Sequence, residues 1–208
     1  MSTEFKINIS NTAIVLIDLQ KGIVSMSPQP HSSAVVIENS VKILTLARKN
    51  NMPVFLVHVT PSPDLKDVLR PVSETSTPIF TYNPNWSEFV PELNIHPDDF
   101  LITKHQWGSF YGTELDLQLR RRGIHTIILG GITTNFGVES TARSAYELGY
   151  NQIFVEDAMS ARSKEEHEYP LKYIFPRLGL IRNTNEVLKA LDWNNPPIPP
   201  LNQQVPLY

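Results

Sequence analysis

The chain contains no cysteine. That absence removes disulfides, thiolate metal sites and every mechanism that passes through a cysteine nucleophile. Also missing is any uncharged apolar run near the ~20 residues that a membrane-spanning helix requires. The opening "MSTEFKINIS" has neither the basic start nor the apolar stretch of a secretory signal. Both features lead to the expectation of a cytoplasmic protein with no membrane partner. Basic charge is not in excess: the formal net charge is −3, so nucleic acid is not expected as a partner. No G-x-G-x-x-G or G-x-x-x-x-G-K-[ST] occurs, which leaves no dinucleotide or phosphate-loop fingerprint and no expected cofactor. The histidines at 31, 58, 96, 105, 125 and 167 show no H-x-x-x-H spacing, so no catalytic metal is expected either.

What is present is alternation. "TAIVLIDLQ" (12–20), "PVFLVHV" (53–59), "HTIILGG" (125–131) and "NQIFVEDA" (151–158) are short, β-branched apolar runs, the pattern of strands buried on both faces of a parallel sheet. "DDFLITK" (98–104) and a short segment at 179–182 read as further strands. Helical stretches lie between them: 34–50 with Ile37, Val41 and Leu44 on one face, and 135–148 with Val138, Ala142 and Ala145, ended by Gly149. Thr113 and Ser163 each precede an acid by three residues and read as helix caps, the first helix ending at Gly123, and a last helix starts near 184. The expected fold is α/β: a three-layer α/β/α, Rossmann-like, doubly wound and mostly parallel sheet, with its site at the carboxyl ends of the strands.

A length of 208 residues suits one well-cored domain, here expected over 1–191. Seven of the 17 prolines fall between Pro61 and Pro97, the mark of an irregular excursion over a sheet edge. Five more lie in a C-terminal tail, 192–208, expected to run as extended polyproline.

Three places could carry chemistry. Asp18 and Lys104 each follow an apolar strand, where two strand ends can bring opposite charges together. Gly130-Gly131-Ile132-Thr133-Thr134-Asn135 is a strand-to-helix turn whose glycines allow close backbone approach and whose Thr134 or Asn135 caps the next helix. Such a turn favours an anion. Gln20, just past Asp18, is a polar contact for substrate or for Lys104.

Taken in order, "IVLIDLQ", "ITKHQWGSFYGTEL", "GGITTNFGVESTARSAYELGY" and "FVEDAMSARSKEEHEYPLKY" resemble the isochorismatase-like hydrolase superfamily. The likeness spans nearly the whole domain, is weakest across 60–95 and does not extend to the tail. In most members an aspartate, a lysine and a cysteine form the catalytic set. The resemblance places the first two at Asp18 and Lys104 and puts Gly137 where the cysteine would stand. Amidase chemistry through a thiol is then unavailable. Isochorismatases proper resemble this chain in carrying glycine there, and they hydrolyse a vinyl ether to pyruvate and a dihydroxy-cyclohexadiene carboxylate without a covalent intermediate.

The resemblance therefore implies metal-independent hydrolysis of isochorismate or a related enol ether. Asp18 would be the general acid, Lys104 would hold and tune it, and Gly137 would leave space and backbone N–H groups. Lys104 lowers the pKa of Asp18 while burial raises it, and the winner decides whether Asp18 can be an acid. Arg70 as a carboxylate clamp and Trp86 as an aromatic wall would suit such a substrate. Phe110 matches a family aromatic at the pocket mouth. Thr133, expected after a cis peptide, and Asn135 would shape the anion site. The partners implied are a small-molecule substrate and further copies of the chain, in a homodimer or larger homo-oligomer. Two other readings stay open: a hydrolase of an unrelated substrate that uses water activated by Asp18, and a silent family member acting as a binding protein through its tail.

Overall fold

The computed structural model describes residues 5–75 and 83–192. Six strands form one sheet: β1 (Thr12–Ile17), β2 (Val54–Val59), β3 (Phe100–Lys104), β4 (Thr126–Ile132), β5 (Asn151–Ser160) and β6 (Leu180–Arg182). Their order is β3-β2-β1-β4-β5-β6, and every neighbouring pair is parallel. The α-helices are α1 (Lys21–Val24), α2 (Ser33–Lys49), α3 (Pro84–Ser87), α4 (Leu115–Arg121), α5 (Glu139–Glu147), α6 (Lys164–Tyr173), α7 (Phe175–Leu178) and α8 (Thr184–Asp192). The result is the expected three-layer α/β/α arrangement.

Strand alternation explains the layers. Ile14 and Leu16 of β1 point to one face, where they join Val36, Ile43 and Leu44 of α2 and Val187 and Leu191 of α8. Ala13, Val15 and Ile17 point to the other, where they join Leu115 and Leu119 of α4, Ala142 and Ala145 of α5 and Phe175 of α7. With apolar side chains on both faces, β1 is buried throughout and β4 everywhere but at Thr126, as continuous apolar runs require.

The chain winds outward from β1 through β2 to β3, then returns to the middle and winds the other way from β4. The carboxyl ends of β1 and β4 thus diverge at a topological switch point, where open α/β sheets form their ligand crevice.

Several boundaries differ from the sequence expectation. β1 stops at Ile17 because Asp18 adopts a left-handed backbone, φ 54°. The helix expected from Thr113 starts at Leu115, with the Thr113 hydroxyl accepting from the Leu115 N–H at 3.2 Å. On α2 the buried stripe is Val36, Ser40, Ile43, Leu44 and Ala47, while Ile37 and Val41 are only partly covered. α2 packs mainly on β5 and α8, and its buried stripe faces them. Ser163 does cap α6, and Gly149, at φ 83°, follows α5.

The proline-rich excursion connects β2 to the edge strand β3 and is tied down at its far end. Arg48 binds Asp99 at 2.6 Å and donates to the Leu93 carbonyl at 3.2 Å, while Val90 and Leu93 enter the α2 core. The tail beyond Asp192 lies outside the described residues. No helix among the described residues is long and apolar enough to cross a membrane.

Candidate active site

Asp18 leaves β1 at the switch point. Its N–H donates to the Val57 carbonyl at 2.8 Å, which fixes the turn to β2, and the positive φ is one that aspartate tolerates better than most residues. The residue is 5% exposed. Lys104 ends β3, two strands away, and is 1% exposed. Its Nζ donates to Asp18 Oδ2 at 2.8 Å and to the Trp107 carbonyl at 2.6 Å. Oδ1 of Asp18 is buried and has no hydrogen-bond partner among the described residues.

Burial wins over the lysine. The Asp18 carboxyl is pushed up to about 6, because desolvation outweighs both the charge of Lys104 and its hydrogen bond. A buried carboxyl of this kind can hold a proton near neutral pH. With Oδ2 taken by Lys104, Oδ1 is the oxygen left to carry it.

The third wall is the turn after β4. Gly131 has φ 121°, and a side-chain carbon there would fall 2.1 Å from the Ile17 carbonyl oxygen, so only glycine lets β4 run this close to β1. The Ile132–Thr133 peptide is cis, and Thr134–Val138 form a π-helical turn before α5. The Thr133 carbonyl accepts from the Phe136 and Val138 N–H groups, both at 3.2 Å. Gly137, buried in this turn, faces the pair directly: a side-chain carbon on it would lie 3.0 Å from Asp18 Oδ2 and 3.3 Å from Lys104 Nζ.

Asp18, Lys104 and Gly137 therefore meet at one point, from three separate segments. The isochorismatase domain family matches residues 12–186. The chain is 48% identical over 195 residues to the uncharacterized isochorismatase family protein YwoC of Bacillus subtilis (strain 168), covering 92% of this chain and 100% of that protein. This chain belongs to the isochorismatase family. YecD of Escherichia coli O157:H7, another uncharacterized isochorismatase family protein, is 44% identical over 89% of this chain and 99% of its own length. Among solved structures, an isochorismatase family protein from Burkholderia thailandensis superposes with a TM-score of 0.87 at 42% identity, covering 90% of this chain and 98% of that one.

Within this family member, several residues expected at the site do other work. Gln20 is fully buried and its amide is used up: Oε1 accepts from the Val59 N–H at 2.8 Å, and Nε2 donates to the carbonyls of Val59 and Trp86 at 3.0 and 3.2 Å. It ties the excursion to the end of β2 rather than presenting itself to substrate or Lys104. The Trp86 indole lies against Gly22, so close that a side-chain carbon there would overlap the ring. Phe110 is buried in the core beside Tyr150, with ring centroids 5.7 Å apart, not at a pocket mouth. Arg70 is exposed, and no hydrogen bond or ion pair ties it to the site among the described residues. Thr133 caps the π-helical turn and Asn135 lies within it, and the buried Oδ1 of Asn135 has no partner among the described residues.

The expectation that Gly137 leaves empty space also needs correction. The space is taken by Asp18 and Lys104 themselves, drawn up against the glycine backbone. Supporting residues leave little signal in the sequence. The Gly137 carbonyl accepts from Thr141 Oγ1 at 2.7 Å, and Thr141 Oγ1 bonds Ser109 Oγ at 2.9 Å, which ties the turn to the loop after Lys104. Thr134 Oγ1 bonds His167 Nδ1 at 2.8 Å, and burial, with His31 adding a little, depresses that imidazole to about 4, so it stays neutral. Only a buried polar side chain on an otherwise apolar helix face, such as Thr141 on α5, hinted at any of this.

Proposed function

We propose that this family member hydrolyses an enol ether, isochorismate or a close relative, without a covalent intermediate. Asp18 Oδ1 delivers its proton to the terminal alkene carbon, and the ether oxygen stabilises the resulting oxocarbenium ion. Water adds to the oxygen-bearing carbon of that ion and returns a proton to the Asp18 carboxylate, and the hemiketal collapses to pyruvate and a dihydroxy-cyclohexadiene carboxylate. Lys104 holds the other carboxyl oxygen, so the acid is aimed as well as buried.

The observation that carries this reading is the state of Asp18: a buried carboxyl pushed up to about 6, with one oxygen engaged and the other unpartnered among the described residues. The raised value leaves part of the population protonated near neutral pH, and an anionic substrate raises that share. Gly137 supports the same reading, since no nucleophilic side chain stands where the resemblance puts the thiol of other members. Enterobactin synthase component B of Escherichia coli (strain K12), 26% identical over 74% of this chain and 54% of its own length, is a further relative.

The test is a pyruvate assay coupled to lactate dehydrogenase across enol ethers, starting with isochorismate. Enzyme-dependent loss of NADH with isochorismate supports the reading. No pyruvate from any enol ether would overturn it and favour an unrelated substrate or a binding role.

A further inference from the structure

Phe136 immediately precedes Gly137, and its ring packs on Trp107 with centroids 4.7 Å apart. Trp107 in turn gives its carbonyl to Lys104 and is 60% exposed, so the two rings border the cluster on its solvent side. A guanidinium completes this rim: Arg162, just past the end of β5, sits with its Cζ 5.9 Å from the Phe136 centroid. Other cations of nearby sequence are paired locally, Arg143 with Glu139 and Lys164 with Glu168. Arg162 is exposed and has no ion pair among the described residues. Its backbone N–H donates to the Glu166 carboxylate at 3.2 Å, next to the Ser163 cap, which fixes the base of the side chain while its fork stays uncommitted.

We propose that Arg162 and Phe136 form a carboxylate subsite at the mouth of the Asp18–Lys104–Gly137 cluster, taking a planar, unsaturated acid. The ring supplies a flat apolar surface and holds the guanidinium by cation–π attraction. The guanidinium grips the carboxylate with two parallel hydrogen bonds. This assigns Arg162 the clamp role that the sequence suggested for Arg70. The inference rests on that cluster being the active site, but not on the substrate being an enol ether.

The probe is benzoate, with benzamide as its neutral analogue, titrated into 15N-labelled protein while the Gly137 amide resonance is followed. Wild-type protein binds benzoate more tightly than benzamide. R162Q weakens benzoate about tenfold or more, the scale of losing a charge-assisted hydrogen-bond pair, and leaves benzamide unchanged. R162K, a point cation without the fork, recovers part of the loss. Equal benzoate binding in wild type and R162Q, or no preference for benzoate in wild type, would overturn the subsite. Because the spectra report folding directly, a misfolded R162Q is recognised at once, and R162K then decides: wild-type benzoate affinity overturns the subsite, and weakened affinity supports it. Failure of isochorismate turnover with benzoate selectivity intact would remove the enol ether and leave the subsite standing.

Discussion

Gly137 lies directly against the carboxylate of Asp18. A side-chain carbon on the glycine would stand 3.0 Å from Oδ2 and 2.9 Å from the Ile17 Cγ2 methyl, so it could fit only if one of them moved. The Ile17 methyl is packed in the core, and the carboxylate is therefore the group that gives way. Gly137→Ala should lower turnover by up to ~10²-fold, the scale of a misplaced reacting group, while thermal unfolding shifts far less. Wild-type kinetics in that variant would mean that the glycine does not position the acid.

The pH dependence follows from the direction of the Asp18 shift. Its folded-state pKa, about 6, lies above the ordinary carboxylate value of 3.8, so the acid form dominates below 6 and disappears above it. The quantity kcat/KM should fall as pH rises through about 6. Fold stability carries the same sign: the proton-linked contribution is complete below about pH 4 and is lost as pH rises through 6. Lys104 lowers the Asp18 pKa, so Lys104→Met should move the falling limb to higher pH. A limb that stays in place would show that the two groups are not coupled.

Gln20 separates a structural role from a substrate contact. Gln20→Leu strands the Val59 N–H and two carbonyls, and each buried group left unpaired costs ~1–3 kcal/mol. Denaturant unfolding should show that loss, with KM nearly unchanged. A stable variant with a raised KM would restore Gln20 to the substrate.

The proposed homo-oligomer has a simple test. Leu117, Tyr146 and Leu148, on and just after α4 and α5, are exposed large apolar side chains that a second copy could cover. Light scattering should give a mass at least twice the 23.6 kDa of one chain. A mass of one chain would refute it.

The sheet was legible because its signals are local. Six short apolar runs separated by helical periodicity leave little choice of architecture, and Asp18 and Lys104 stand out as charges at the ends of such runs. Helix faces and boundaries were less so, since the packing of α2 on α8 and the left-handed turn at Asp18 are tertiary effects. The rim of the site is less legible for a related reason. Arg70 and Trp86 had the right chemistry in a variable segment, but which aromatic and which cation reach the Gly137 turn depends on where the loops after β3 and β5 cross it. Sequence spacing does not encode that crossing, which sets Trp107 beside Phe136 and the Arg162 guanidinium near the Phe136 ring.

The central claim, that Asp18 protonates carbon in a hydrolysis with no protein nucleophile, is tested most directly by running the isochorismate reaction in D2O and weighing the pyruvate. The account predicts one deuterium in the pyruvate methyl group with wild-type protein. It also predicts a 10²–10⁴-fold slower reaction for Asp18→Asn, roughly the range for losing a general acid, in a variant whose amide still suits the left-handed backbone. Pyruvate formed without methyl deuterium, or formed equally fast by Asp18→Asn, would contradict it.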